Sequence, residues 1–415
     1  MLVDGQPRQL AATSATASLN GRTTVSVTVD GGSLTSLLRD AEAHTTIIVP
    51  VTQRADQVSL ILTGDEVKAL ERKSAILELR TPLGSYKLAG EAVAIDRLSE
   101  RLGQPASLAD IRVRLDISAS DAAAAAKAKQ EARRSGIDML APPVEFAIAA
   151  SHGEQSIAVN RFESFVEREI PLADDVNQGD VSTAVMVDEG GGFRHVPTYI
   201  TTRDGGRVAV FRSMTNGAFA LIRNETAFDD IEGHWSEEIA NDMAKRMIVN
   251  GAAEGRFVPD ASMTRAEFAA IVVRALGLPA SDTPPAFADV SGSDWYAGAA
   301  AAARDYGIVE GYEDGTFRPL GTITREEAVV MLERAMNLAG LDAKVDDQHV
   351  MLAEYADRDA VSPWAMHAVA AAVSGKLLQG SDKGLMPKRD ITRAEAAAII
   401  QRLMVLAGLI NDPSL

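Results

Sequence analysis

Three arginines occupy the same place in three copies of one short motif: Arg265 in "MTRAEFAA", Arg325 in "ITREEAVV" and Arg393 in "ITRAEAAA". The flanking Thr and Glu have a structural reason to be there. A Thr hydroxyl can accept from the amide three residues on, and a Glu at that position can reach back to the cap amide. Thr264/Glu267, Thr324/Glu327 and Thr392/Glu395 therefore read as capping boxes. Capping does not explain the arginine. It falls at the first helical position, where the helix dipole disfavours a cation by roughly 0.3–1 kcal/mol. Its chemistry there would be anion recognition, with a guanidinium fork beside the free N–H groups of a helix start. A repeat-to-repeat salt bridge to Asp230, Asp289 or Asp357 would use the same residue type, and the sequence leaves both readings open.

The elements that must position these arginines repeat with them. Behind each cap runs an apolar face at i, i+3, i+4 and i+7: Phe268, Ile271, Val272 and Ala275, then Ala328, Met331, Leu332 and Ala335, then Ala396, Ile399, Ile400 and Leu403. Each unit opens on an aromatic and an Asp, in "FDDI", "FADV" and "YADR", followed by Trp235, Trp295 or Trp364. The Trp-to-Thr spacing is 264 − 235 = 29, 324 − 295 = 29 and 392 − 364 = 28. Regular spacing over three units implies supersecondary repeats that bury their faces against one another. Each tryptophan opens an amphipathic helix, where it is expected as a core anchor; on a rim it would stack on a sugar ring. Between the two helices lie glycine loops, "NGAAEGRFVP", "EGYEDGTFRP" and "QGSDKGLMP". Their glycines suggest positive φ and a close approach of backbone to ligand. "YEDG" invites a calcium reading but lacks the alternating ligand series and distal Glu of an EF-hand loop.

The chain has 415 residues, enough for two or more domains. Its net charge of −17 (41 basic, 58 acidic residues) argues against nucleic acid as a partner, while leaving room for a local anion site. With no cysteine there is no disulfide framework, thiolate metal site or thiol nucleophile, a composition that suits an exported bacterial protein. No apolar run is long enough to span a membrane. The start, "MLVDGQPRQL", lacks a signal-peptide pattern, so an exported chain of this sequence is expected to be part of a longer precursor with fused upstream domains.

Residues 1–140 read as an α+β module. "TTVSVTVD", "TIIVPV", "QVSLILTG", "SAILELR", "IRVRLDIS" and "PPVEFAIA" are strand candidates; "SLTSLLRDAEA", "GDEVKALERK", "AIDRLSERLG" and "SDAAAAAKAKQEARRSG" are helix candidates. Residues 141–225 read as an antiparallel β module, with hairpin signals at "DEGGG", "RDGGR" and "TNGA". The three repeats occupy 226–280, 285–342 and 353–411, joined by "PASDTPPA" and "DAKVDDQHV".

Taken together, the aromatic-x-Asp openings, the tryptophans, the glycine loops and the Thr-Arg-x-Glu helices resemble the S-layer homology family over 228–410. The resemblance implies an all-α pseudo-trimer of three repeats, with a central three-helix bundle and grooves between neighbours. It also implies non-covalent anchoring to secondary cell-wall polysaccharide carrying acidic, pyruvylated sugars, at the extracellular cell wall or S-layer surface of a Gram-positive bacterium. By the same resemblance Arg265, Arg325 and Arg393 would engage the acidic group. Asp230, Asp289, Asp357, Trp235, Trp295, Trp364, Gly251, Gly311, Gly380 and Tyr312 would assist. The copies depart from the pattern unequally. Glu326 stands where Ala is usual, Leu385-Met386 replaces a Thr-Phe pair, Arg358 replaces an aliphatic residue, and Ala252 stands where the second repeat has Tyr312. The grooves are therefore expected to differ. Residues 1–225, with "VDEGGGFRHVPT", resemble the non-catalytic module that precedes such repeats in large Gram-positive surface proteins.

No catalytic signature stands out. The six histidines show no HExxH spacing, and neither a Gly-x-Ser-x-Gly elbow nor a phosphate-binding loop is present. The reading is therefore a binding protein with no catalytic residues, cofactor or metal. A carbohydrate-active site in 1–225 and a calcium-dependent adhesion module are its alternatives.

Overall fold

The computed structural model describes residues 1–9, 11–102, 107–253, 255–281, 283, 287–341, 343–380 and 384–413. Parts of both inter-repeat links (282, 284–286, 342) and of two glycine loops (254, 381–383) lie outside the described residues. The chain forms two compact units: 1–193 with 198–223, and 194–197 with 224–415.

The N-terminal unit is built on two sheets. One runs Thr198–Arg203, Gly206–Thr215, Arg161–Pro171, Gly84–Ala89, Ile76–Thr81, Thr46–Pro50, Leu2–Val3 and Gln6–Pro7. The other includes the run Thr183–Val187, Gly217–Arg223, Val144–His152, Arg112–Ala119, Gln57–Thr63, Arg22–Val29 and Ala12–Leu19. Alternation accounts for most of these strands: Val25, Val27 and Val29 are buried, as are Val113, Leu115 and Ile117. Helices α1 (Gly31–Asp40), α2 (Gly64–Arg72), α3 (Ile95–Arg101) and α4 (Ala122–Arg134) lie where their patterns place them. Thr63 and Glu66 close a capping box on α2, and α4 buries only Ala128 and Ala132.

Two readings change. Both sheets take strands from either side of residue 140, so 1–140 and 141–225 share one framework. "TNGA" is not a hairpin turn. Gly206–Thr215 belongs to the first sheet and Gly217–Arg223 to the second, so Asn216-Gly217 is the corner where the chain changes sheets. "RDGGR" does close a hairpin, with Arg203 opposite Gly206. Between the sheets Tyr86, Phe146, Phe211 and Phe219 meet edge-on or tilted, with centroids 5.0–6.0 Å apart.

In the C-terminal unit the helices are α5 (Glu237–Lys245), α6 (Arg265–Ala275), α7 (Ala297–Asp305), α8 (Arg325–Leu338), α9 (Gln348–Met351), α10 (Met366–Ser374) and α11 (Arg393–Leu406). The three motif segments hydrogen-bond in a closed cycle. The Met263 amide donates to Ile391 O (3.1 Å), Ile391 to Ile323 O (3.0 Å) and Ile323 to Met263 O (3.0 Å). The helices follow the same cycle: α6 packs on α7, α8 on α10 and α11 on α5, so each motif helix covers the other helix of the next repeat. All twelve apolar positions read from the i, i+3, i+4, i+7 pattern are buried. Among the described residues no helix is long and apolar enough to cross a membrane.

Candidate functional site

All three capping boxes form, with each Thr hydroxyl accepting from its Glu amide and each Glu accepting from the Thr amide. The helix-start amides are not free for an anion, as the sequence reading supposed. Arg265 N donates to Gly321 O and Ala266 N to Pro319 O; Arg325 and Glu326 donate to Arg389 O and Pro387 O; Arg393 and Ala394 donate to Ala261 O and Pro259 O. The neighbouring repeat's proline loop takes both amides in every copy. The first two amides of each motif helix are therefore not offered to an anion.

The three guanidinium groups are not alike. Arg393 is locked: Nε donates to Phe257 O (2.7 Å), one terminal nitrogen to Asn250 O (2.6 Å) and the other to Glu267 (3.3 Å). Arg325 is held similarly, by Leu385 O (2.9 Å) and Glu395 (3.0 Å). Among the described residues Arg265 has as its ion pair only a 3.7 Å approach to Glu327, and its buried Nε makes no hydrogen bond. Tyr312 accounts for the difference. Its hydroxyl donates to the same Glu327 oxygen (2.8 Å), and its ring lies 5.0 Å from the Arg265 guanidinium and 3.9 Å from that of Arg318. The repeat-to-repeat salt bridge thus exists, but its acids are Glu327, Glu395 and Glu267, not the opening aspartates. Burial pushes the Glu327 carboxyl up, yet hydrogen bonds from Thr324 and Tyr312 and the Arg265 charge outweigh it and hold the pKa below the ordinary value.

The opening aspartates serve the loops. Asp230 accepts from the Phe257 and Val258 amides (2.7 and 2.8 Å), Asp289 from Phe317 and Arg318 (2.7 and 2.8 Å), and Asp357 from Leu385 and Met386 (2.9 and 2.7 Å). Val258, Arg318 and Met386 all have φ near +50° (55, 55 and 51), so each carboxylate pins a strained turn. Gly311 and Gly380 give room to the opening aromatic: a Cβ would come within 2.7 Å of Phe287 and 2.4 Å of Tyr355. Gly251 is closed in by backbone, with Ala253 O at 2.6 Å from a Cβ.

An acid-sensitivity prediction follows. Burial raises the Asp230 and Asp357 carboxyls, but the paired amides prevail and the folded-state pKa lies below 3.8 for both. A lowered folded-state pKa contributes stability that is present above the unfolded value and lost as pH falls through the folded one. Melting of the C-terminal unit is expected to be flat above about pH 5 and to fall steeply below about pH 4. Calorimetric scans across that range test it; a melting temperature still level at pH 3 would contradict it.

The tryptophans are not core anchors. Trp235, Trp295 and Trp364 are 59%, 65% and 59% exposed. Trp364 lines a cleft of about 580 Å³ together with Arg265, Tyr312, Arg318, Glu327 and Arg334. One open arginine from the first repeat, the second repeat's glycine loop and the third repeat's tryptophan therefore share one groove. Sequence reading missed Arg318 and Arg334. Both stand at positions whose role appears only when the repeats close on one another.

The S-layer homology domain family matches residues 227–269, 286–329 and 354–397. The chain carries three S-layer homology domains in tandem. An amylopullulanase of Thermoanaerobacterium thermosulfurigenes is 34% identical over 192 residues, 46% of this chain and 10% of that protein. The surface-layer 125 kDa protein of Lysinibacillus sphaericus is 33% identical over 179 residues (42% and 14%). The S-layer protein sap of Bacillus anthracis is 30% identical over 177 residues (42% and 21%). The chain thus spans a tenth to about a fifth of these relatives.

Within the second S-layer homology domain the unusual Glu326 has a defined place. It is 4% exposed and accepts from the Ser362 amide and hydroxyl (both 2.9 Å) and from Lys388 (2.6 Å). Its counterparts are Ala266 and Ala394. Glu326→Ala is expected to cost about 1.5–3 kcal/mol, the scale of hydrogen bonds to a charged group. Chemical denaturation measures it, and an unchanged midpoint would refute the role.

Proposed function

We propose that the S-layer homology domains anchor the protein non-covalently to cell-wall polysaccharide, with the Arg265 groove holding an acidic, pyruvylated sugar. One observation carries the reading. Among the described residues the buried Arg265 Nε makes no hydrogen bond, and Arg265 lines a cleft together with the exposed Trp364. A carboxylate seated there would supply the missing acceptor and accept a second bond from a terminal nitrogen. Trp364 offers a flat apolar face for a sugar ring. The Arg325 and Arg393 grooves present arginines that already donate to carbonyls and carboxylates, Nε included, so they bind more weakly.

The cyclic hydrogen bonds of Met263, Ile323 and Ile391 support a pseudo-trimer with α6, α8 and α11 at its centre, built from repeats at 226–280, 285–342 and 353–411. In this reading Asp230, Asp289, Asp357, Gly251, Gly311 and Gly380 shape the grooves from behind, while Trp235 and Trp295 serve the other two. The surface-layer and S-layer names of the relatives support an extracellular, wall-bound location. Retention on pyruvylated and pyruvate-free wall polysaccharide tests the reading. Preference for the pyruvylated form is expected, and equal retention on both would overturn the acidic-group mechanism.

A further inference from the structure

In the N-terminal unit a cleft of about 600 Å³ opens between the start of α3 and the strand Arg161–Pro171. Two irregularities shape it. The strand loses register with Gly206–Thr215 between Arg161 and Val166, so residues 162–165 leave the regular ladder. Ala94 enters α3 in the left-handed region, at φ 49. Bulges and strained backbone of this kind concentrate at binding sites.

The charge around the cleft is the reverse of the chain as a whole. Its rim carries Arg97, Arg101 and Arg161 against Glu91 and Glu163, and Glu163 is already paired to Arg97 at 2.9 Å. Under the floor lies a further cation. Arg168 is 0% exposed, its guanidinium 5.7 Å from the ring of Phe162, which lines the cleft. Asn216 joins it to Val159, another lining residue, by accepting from Arg168 (2.8 Å) and donating to Val159 O (2.6 Å).

Every acceptor on Arg168 is neutral: Val166 O, Ser213 O, the Tyr86 hydroxyl and Asn216 Oδ1. Its Nε has no acceptor, and among the described residues no carboxylate pairs with it. A buried cation acts through protein rather than water, so its field reaches the cleft with little screening.

We propose that this cleft binds a small polyanion, a ligand carrying two or more carboxylate or phosphate groups. Its volume suits a small molecule. The site is independent of the glycan reading of the Arg265 groove.

The test is calorimetric titration of the full chain carrying Arg265→Ala, which removes the strongest of the other candidate anion sites. Inorganic pyrophosphate, citrate and neutral maltose are the probes. One pyrophosphate or one citrate per chain is expected to bind, weakening as ionic strength rises, while maltose does not; the two anions separate phosphate from carboxylate preference. Adding Arg97→Ala, Arg101→Ala and Arg161→Ala together is expected to lower affinity roughly tenfold or more, with melting followed in parallel to show that the unit remains folded. Glu91→Gln with Glu163→Gln is expected to raise it. No saturable binding of either anion, or binding that survives the three arginine substitutions, would overturn the proposal.

Discussion

Arg265→Ala is expected to weaken binding to acidic wall polysaccharide by about a hundredfold while lowering stability by only about 1 kcal/mol, and Arg393→Ala to do the reverse. The two residues share a motif and a helix position. They differ in what they already hold. Removing Arg393 strips Phe257 O and Asn250 O of their donor and leaves Glu267 without its guanidinium partner. Loss of a buried, fully paired charge of this kind costs about 3–5 kcal/mol. Removing Arg265 gives up a 3.7 Å ion pair and a ring contact with Tyr312, and deletes an Nε that had no protein acceptor. Little stability depends on those contacts, and the carboxylate-binding fork disappears with them. Calorimetric melting, paired with surface plasmon resonance on pyruvylated and pyruvate-free polysaccharide, separates the effects. If Arg265→Ala proved as destabilising as Arg393→Ala and left binding intact, Arg265 would be a structural residue like its counterparts.

How far this contrast could be read in advance follows from where each residue's partners lie. The capping boxes were legible because both members sit within four residues of each other. The arginine was half legible. Its oddity against the dipole is local, but its carboxylate partners come from the next repeat, and Tyr312, which keeps Arg265 open, has no counterpart at Ala252. The helix-start amides looked free because their acceptors are carbonyls of another repeat. The tryptophans were read on a helical period, yet each stands two residues before its helix begins, at Glu237, Ala297 or Met366, where that period does not apply. In the N-terminal unit, alternation marked the buried strands, but Ala12–Leu19 is exposed along its whole length and carries no apolar pattern to read. Turn residues marked "TNGA" as a reversal; whether the flanking strands pair with each other is a long-range matter that turn chemistry does not settle.

That corner carries an expected loss of stability as large as that of Arg393→Ala. Asn216→Ala should destabilise the N-terminal unit by about 3–5 kcal/mol, and adding Arg168→Met should recover part of the loss. Asn216 Oδ1 accepts from the Tyr86 hydroxyl (2.5 Å) and from Arg168 (2.8 Å), and its Nδ2 donates to Val159 O (2.6 Å). All of these groups are buried. Truncation leaves a hydroxyl, a carbonyl and a guanidinium short of partners in a medium that cannot replace them. The guanidinium fares worst. Burial already pulls the Arg168 pKa down, and with Asn216 gone its remaining acceptors are the Tyr86 hydroxyl and two backbone carbonyls. Methionine has a similar reach, no charge to desolvate, and a sulfur suited to the aromatic rings of Tyr86, Phe146, Phe162 and Phe219 around it. In the double variant the buried charge is therefore absent, and the groups that lose a partner, the Tyr86 hydroxyl and the Val159, Val166 and Ser213 carbonyls, are all neutral. A double-mutant cycle by chemical denaturation should give a coupling of 1 kcal/mol or more, with the sign of rescue. Additive losses would mean that the charge of Arg168 is balanced by something other than Asn216, and the corner would then be held by packing alone.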